Sequence, residues 1–211
     1  METPGAGIAV VAVEAFAGIM RVSRVAADEF GIEIGGIIER DSLDLHDADK
    51  RFPAAHRSSD VRLREYASWQ IRADVLVVLG CSPCTAVCGA GAMRALQDEN
   101  IDLATDVLPD MMVTLDAPFG AGEQHWRFAQ AAEGRVLARF DDRLERAGRH
   151  RVPRIRGTPG GVEWHADTGM AEKRWRLWWH AETIGIENLI GPCEALKLDM
   201  SKPLVINDIL D

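Results

Sequence analysis

The stretch that decides the fold is DVLVVLG at residues 74–80, which runs directly into CSPCTAVC at residues 81–88. A continuous run of valine and leucine predicts a β-strand that is buried on both faces. Two similar runs precede it, at residues 7–16 and 34–39, and helical spacing over residues 19–30 separates them. Strands that alternate with helices pair in parallel, so the sequence predicts an α/β fold with a Rossmann-like, mostly parallel sheet and helices on both faces.

Unusual residues stand at the carboxyl ends of the predicted strands, where parallel sheets bind their ligands. The segment EAFAG closes the first strand, an acid closes the second, and the cysteine-rich loop follows the third. A further apolar run, MMVTL at residues 111–115, predicts a strand that ends in an acid, and residues 63–71 are predicted to form a helix. The residues at these strand ends are Phe16, Ala17, Gly18, Glu39, Asp60, Cys84 and Asp116.

Length and charge exclude several classes of protein. At 211 residues, with 47% hydrophobic and 27% charged residues, the chain is long enough for one ordinary globular core. It has no apolar run of about 20 residues and its first residues lack a basic flank, so we expect a cytoplasmic protein that does not bind membranes. The net charge of −9 argues against general nucleic-acid binding. Any polyanion site must therefore be local.

One segment is locally basic, because residues 143–156 contain six arginines and a single acid, Glu145. Such a segment is either a phosphate-binding surface or a solvated run of charge. Farther along, Trp175, Trp178 and Trp179 follow the spacing i, i+3, i+4. This spacing predicts a helix that packs its tryptophan face on the core, and stacking of these rings on bases is the alternative.

The loop CSPCTAVC is open to four interpretations. Cys81, Cys84 and Cys88 could bind a metal ion, with Cys193 or a histidine as the fourth ligand. Cys81 and Cys84 could form a redox pair. Cys84 alone, next to a proline at the end of a buried strand, could be a nucleophile. The fourth interpretation is a tightly packed loop of small residues without chemistry.

Four short motifs resemble, in order and spacing, those of the DNA (cytosine-5) methyltransferases: Glu14-Ala15-Phe16-Ala17-Gly18, Glu39, Asp60-Val61 and Ser82-Pro83-Cys84. The chain is most similar to the short, phage-type members, which lack a separate target-recognition domain. The resemblance implies the class I methyltransferase fold with S-adenosylmethionine as cofactor. The residues implied to bind that cofactor are Glu14, Phe16, Ala17, Gly18, Glu39, Asp60, Val61, Gly80 and Pro83.

The chain departs from the family pattern at two places. Met20-Arg21 stands where the family has a pair of glycines. Asp116-Ala117-Pro118 stands where the family has Glu-Asn-Val, whose glutamate contacts the target base. We therefore expect Asp116 to be the acid at the base, with Glu123 as a substitute. Arg149-His150-Arg151 is similar to a late Arg-His-Arg of the family, which implies that Arg149 and Arg151 contact phosphate or the base.

The resemblance implies methylation at C5 of a cytosine flipped out of DNA, through a covalent adduct with Cys84. A partner protein would supply sequence specificity. Residues 1–140 are expected to form the cofactor-binding and catalytic domain, and residues 141–211 a basic segment and helical extension packed on it. Two alternatives stay open: a catalytically silent relative that binds nucleic acid or a partner protein, and a metal-binding protein that uses Cys81, Cys84 and Cys88.

Overall fold

The computed structural model describes residues 8–18, 20–85, 87, 95–151, 162–164 and 175–183. Within these ranges, strands and helices alternate through most of the chain. The elements are β1 (Val10–Ala15), α1 (Arg21–Phe30), β2 (Glu33–Ile38), α2 (Ser42–Arg51), β3 (His56–Ser58), β4 (Val75–Gly80), α3 (Ile101–Thr105), α4 (Val107–Thr114), β5 (Phe119–His125), α5 (Arg135–Arg146), β6 (Arg149–Arg151), β7 (Val162–Trp164) and β8 (Trp175–Thr183).

The strands form one sheet in the order β3-β2-β1-β4-β5-β8-β6, with β7 also paired to β8. The first five strands are parallel, whereas β8 is antiparallel to β5, β6 and β7. Since β6 pairs with the end of β8 and β7 with its beginning, these two short strands share one edge of β8. The predicted mostly parallel sheet with helices on both faces is confirmed.

Apolar side chains form a core on each face of the sheet. On one face, Met20 and Ile37 pack beneath α1 and α2. On the other face, Met111 and Phe140 pack over the strands from α4 and α5. Among the described residues, no helix combines the length and the apolar content needed to span a bilayer.

The connection from β3 to β4 differs from the prediction. Instead of a helix near residues 63–71, two short 3₁₀ turns span Val61–Leu63 and Glu65–Ser68. Arg64 separates them with a left-handed φ of 54°, which ends the first turn before an α-helix can form. Trp69 then lies against the sheet at Gly36, where a Cβ atom would be only 2.2 Å from its Cζ3 atom. A glycine in β2 therefore makes room for the indole.

The apolar run at residues 111–115, predicted as a strand, lies in and just after helix α4. Met111 and Met112 are fully buried, while Val113 is 50% exposed, as expected for the two sides of a helix on a sheet. The next strand is instead β5, whose sequence FGAGEQH carries no strand signal. This strand prediction is therefore wrong.

The predicted tryptophan helix is also wrong within the described residues, because Trp175–Thr183 is strand β8. Alternate side chains of a strand face opposite sides of the sheet. Trp179 accordingly packs on Phe140, with 5.2 Å between ring centroids. Glu182 faces the other side and is completely buried, with its carboxylate oxygens 3.8 Å from Nε2 of His150 and Nε2 of His180.

Candidate functional site

Three parallel strands, β1, β2 and β4, end on one row across the sheet, and β5 crosses the same row three residues before its own end. The pairing register aligns the residues on one row across the sheet, and the chain leaves β1, β2 and β4 directly after it. The residues that follow therefore meet at a single edge of the sheet. In spatial order, the row is Ile38, Ala15, Gly80 and Gly122.

A cavity of about 210 Å³ opens at this edge. Five of the nine residues that the sequence predicts to bind the cofactor line it: Phe16, Glu39, Asp60, Val61 and Pro83. Its wall therefore combines an aromatic ring and aliphatic side chains with two carboxylates, and Arg40 and Arg62 also line it. These groups suit an adenine ring and the hydroxyls of a ribose, so the residues present fit the adenosine part of S-adenosylmethionine.

Glu39 fixes the turn that follows β1. The backbone N–H of Gly18 donates to Oε2 of Glu39 at 2.6 Å, and the N–H of Asp41 donates to Oε1 at 2.9 Å. A carboxylate has about four acceptor positions, so both oxygens keep capacity for a further donor such as a ribose hydroxyl. The carboxylate thus ties the ends of β1 and β2 together at the cavity wall.

Asp60 shapes the neighbouring part of the wall. Its side chain accepts a hydrogen bond from the N–H of Arg62 at 2.9 Å and so caps the 3₁₀ turn that begins at Val61. Its backbone carbonyl accepts from Oγ of Ser58 at 3.1 Å. These bonds hold Val61 against the core while Asp60 stays at the cavity.

Glu14 lies behind the cavity rather than on its wall. Its side chain is 2% exposed and accepts hydrogen bonds from the N–H (3.0 Å) and the hydroxyl of Ser23. This carboxyl caps α1, which has no acid in its own first turn. Burial raises the pKa of Glu14 to about 7, and the nearby charge of Glu39 adds to that rise.

The three remaining predicted cofactor residues also stand off the wall. Ala17 is buried in the core beneath α1, Gly18 contributes its N–H to Glu39, and Gly80 packs under Leu108. They support the edge of the sheet from below. Contact between these three residues and a ligand stays a prediction.

Met20 stands at a position where the methyltransferases that the sequence resembles have a glycine. It adopts a left-handed conformation, with φ 58° and ψ 36°, and is completely buried. That conformation costs an L-residue roughly 1–2 kcal/mol, whereas burial of a methionine side chain stabilises by about 1.5–3 kcal/mol. Burial of the Met20 side chain in the core under α1 therefore offsets the cost of its backbone conformation.

Cys84 lies on the surface beside the cavity. Its side chain is exposed, it immediately follows Pro83 in the cavity wall, and it forms no disulfide. Cys88 and Cys193 lie outside the described residues, so the three-cysteine metal site stays a prediction. In the part of the chain that is described, no three His, Cys, Asp or Glu side chains are arranged to bind a metal ion.

The predicted acid Asp116 lies at the wrong end of the sheet. It precedes β5 instead of following a strand, and its side chain is fully exposed beside Arg149. Glu123 is placed differently, because it directly follows Gly122, which pairs with Gly80 at the carboxyl edge. Its Oε1 atom is shielded from solvent. The substitute candidate is therefore the acid that lies near the cysteine loop.

Arg149 and Arg151 are bound within the fold. The guanidinium of Arg149 is buried at the amino end of β5, where it donates to the carbonyl of Ala117 at 3.2 and 3.3 Å and to that of Ala147 at 2.9 Å. Arg151 makes a two-pronged bond to Asp141, at 2.7 and 2.8 Å. Both guanidiniums thus already have partners within the chain, and their contact with phosphate or base stays a prediction.

The start of the basic segment is also paired, through a ladder that sequence reasoning missed. Arg143 binds Asp110 at 2.7 Å, and Arg146 binds Asp142 at 2.8 Å. The sequence signal is a spacing of four within each series: Arg139 and Arg143 of α5 face Asp106 and Asp110, and Arg139 binds Asp106 at 2.5 Å. Arg146 and Asp142 also stand four residues apart, but both lie on α5.

Comparisons with known proteins agree with this topology. No protein-family model matches the chain, and no curated protein matches its sequence significantly. Among solved structures, a protein assigned as a DNA modification methyltransferase from an Escherichia coli prophage has a TM-score of 0.63 and 14% identity over 95% of this chain and 54% of its own. The Entamoeba histolytica methyltransferase EhMeth has a TM-score of 0.60 and 12% identity over 90% of this chain and 57% of its own.

A third neighbour, DNMT2 of Spodoptera frugiperda, has a TM-score of 0.58 and 14% identity over 92% of this chain and 57% of its own. The protein has the class I methyltransferase fold, as predicted. It spans little more than half the length of each of these neighbours.

Proposed function

We propose that the protein is an S-adenosylmethionine-dependent methyltransferase that acts at C5 of cytosine in DNA, with Cys84 as the nucleophile. The observation that carries the proposal is the cavity at the carboxyl edge, where Phe16, Glu39, Asp60 and Val61 meet next to Pro83-Cys84. The solved neighbours with this fold are named as methyltransferases, which supports the same class of reaction.

The chain's own residues would bind the two substrates on either side of Pro83. Glu39 would accept from ribose hydroxyls, Phe16 and Val61 would contact the adenine ring, and Asp60 would receive a hydrogen bond from its amino group. S-adenosylmethionine, when bound, supplies an electrophilic methyl group.

Cys84 would perform the step that makes cytosine reactive. The thiol loses its proton and the thiolate adds to C6, which turns C5 into a carbon nucleophile. Glu123 would protonate N3 or donate a hydrogen bond to it during this addition. After C5 has received the methyl group it loses its proton, the bond between sulfur and C6 breaks, and the unsaturated ring is restored.

The base must leave the duplex to reach Cys84, because C6 is covered inside the helix. Among the described arginines of the basic segment, each is bound to an acid or a carbonyl of the chain. Since the chain spans about half of its neighbours, a partner protein or further chain would hold the duplex and supply sequence specificity. We keep the short phage-type assignment and the cytoplasmic location as predictions.

Trapping on 5-fluorocytosine tests the proposal. Fluorine replaces the C5 proton whose removal releases the enzyme, so the covalent adduct persists. DNA and RNA oligonucleotides that carry this base would be incubated with protein and cofactor, and the adduct identified by mass spectrometry. We expect an adduct with DNA that is lost in Cys84→Ser. Glu123→Gln should slow adduct formation by about 10²–10⁴-fold, whereas Asp116→Asn, the matched control, should not.

Three other outcomes would change the assignment. An adduct with RNA alone would change the assigned substrate from DNA to RNA. Cofactor binding without any adduct would favour the catalytically silent relative, for which the altered glycine pair at Met20-Arg21 is the supporting observation. One metal ion per chain, lost when Cys84 is replaced, would favour the metal-binding alternative.

A further inference from the structure

We propose that Gln124 is the positioning residue of the nucleophile loop, by which we mean residues 81–85. Its amide fixes Ser82 to β5 and thereby holds Cys84 at the cavity. This role rests on the proposed function, since a loop needs fixed geometry only if its cysteine reacts.

The side-chain amide of Gln124 forms hydrogen bonds both to the loop and to its own strand. Its side chain is 2% exposed, and Nε2 donates to the carbonyl oxygen of Ser82 at 3.1 Å and to its Oγ at 2.8 Å. Oε1 accepts from the backbone N–H of His125 at 2.9 Å. Both N–H donors of the amide are used on one residue, which is itself only 7% exposed.

This side chain continues the sheet beyond the end of its backbone ladder. The last paired residues of β4 and β5 are Gly80 and Gly122, two positions before Ser82 and Gln124. At this row a Cβ atom on Gly122 would lie 2.0 Å from the carbonyl oxygen of Gly80, so the strands approach too closely for any other residue. Beyond this row, the hydrogen bonds from the buried Gln124 amide to Ser82 connect the two strands.

The residue that precedes Cys84 offers no backbone donor that could hold the loop. Pro83 has no N–H, and Cys84 is exposed, with a carbonyl that accepts from the N–H of Val87 at 3.0 Å. The cross-strand bonds of Gln124 therefore set the distance between Pro83-Cys84 and the strand that carries Glu123. A displacement of about 1 Å in such a site can reduce the rate about 100-fold.

The amide also explains why a glutamine, rather than an acid, suits this position. A carboxylate of the same length cannot donate to the Ser82 carbonyl, and two acceptors would then face each other in a buried site. Once protonated, a carboxylic acid can donate one hydrogen bond. The variant Gln124→Glu should thus respond to pH in a way that a purely space-filling role would not.

The test uses the full chain with Gln124→Leu, which keeps most of the volume but no hydrogen bonds. Gln130→Leu, a replacement of an exposed glutamine, is the matched control. We expect Gln124→Leu to slow adduct formation on 5-fluorocytosine DNA about 100-fold, with DNA affinity within about threefold of the parent protein. Amide hydrogen exchange in residues 81–87 should rise about tenfold.

Two further variants separate positioning from a general loss of stability. Gln124→Glu should form the adduct slowly at pH 8 and recover relative to the parent protein as the pH falls and the acid gains its proton. Ser82→Ala should add little when combined with Gln124→Leu, because both remove the same bond.

Parent-like adduct rates in Gln124→Leu would overturn the positioning role. If the parent protein forms no adduct at all, the proposed function fails instead, and hydrogen exchange then decides. A loop that exchanges faster in Gln124→Leu than in Gln130→Leu would still show that the amide holds residues 81–85 in place, and equal exchange would overturn this.

Discussion

Glu14→Gln should change the pH dependence of stability. In the folded protein the Glu14 carboxyl is 2% exposed, and burial raises its pKa from 4.5 to about 7. Each pKa unit corresponds to about 1.4 kcal/mol, so keeping this group ionised in the core costs about 3 kcal/mol. Glutamine has no charge to desolvate, and its Oε1 can still accept from the N–H of Ser23.

The sign follows from proton linkage. The folded state binds the Glu14 proton more tightly than the unfolded state, so this group's contribution to stability is fully present below pH 4.5 and is lost as the pH rises through about 7. Glu14→Gln should therefore exceed the parent protein in free energy of unfolding by about 1 kcal/mol at pH 5 and about 3 kcal/mol at pH 8.

Equilibrium urea denaturation at pH 5, 6, 7 and 8, followed by tryptophan fluorescence and circular dichroism, measures this difference. Glu29→Gln on α1, the helix that Glu14 caps, is the matched control, because Glu29 is exposed and its replacement removes a carboxylate that the core does not bury. A difference for Glu14→Gln that stays constant within about 0.5 kcal/mol across this range would refute the reasoning.

Three further predictions concern single contacts. Arg151→Gln should lower the free energy of unfolding by about 1–2 kcal/mol and leave DNA affinity unchanged. A variant that binds DNA more weakly but is as stable as the parent protein would contradict a structural role for Arg151. Gly36→Ala should destabilise by about 1–3 kcal/mol in thermal denaturation, with altered fluorescence of Trp69, and parental stability would show that the indole is not packed there. Glu39→Gln should weaken S-adenosylmethionine binding about tenfold by calorimetry, whereas Glu33→Gln at the other end of β2 should not; equal binding in both would remove Glu39 from the site.

The first half of the fold could be predicted because its strands are buried on both faces. Residues 74–80 can satisfy their backbone and bury their side chains in few ways other than as a central strand, and β4 forms there. The residues that follow such strands could be predicted in the same way, since parallel strands bring their carboxyl ends to one edge. The cavity beside Glu39 and Asp60 lies at that edge.

Prediction from the local sequence pattern failed where packing against a distant segment determines the secondary structure. The apolar run at residues 111–115 has the composition of a strand, but α4 buries its methionines on the sheet. The sequence of β5 contains two glycines that its neighbours require, because Met112 and Trp179 pack over them. Composition alone cannot show such contacts between distant segments.

The amino-acid sequence by itself determined the parallel sheet, its ligand edge and the cysteine that follows its central strand, because these depend on runs of apolar residues and on their order. Only the tertiary structure decided which of the two candidate acids lies at that edge. Asp116 and Glu123 stand seven residues apart, at opposite ends of β5, and the chain direction of that strand brings Glu123 to the edge that carries Cys84. The same packing bound Arg149 and Arg151 to the fold, since a buried guanidinium must find acceptors wherever the strands place it.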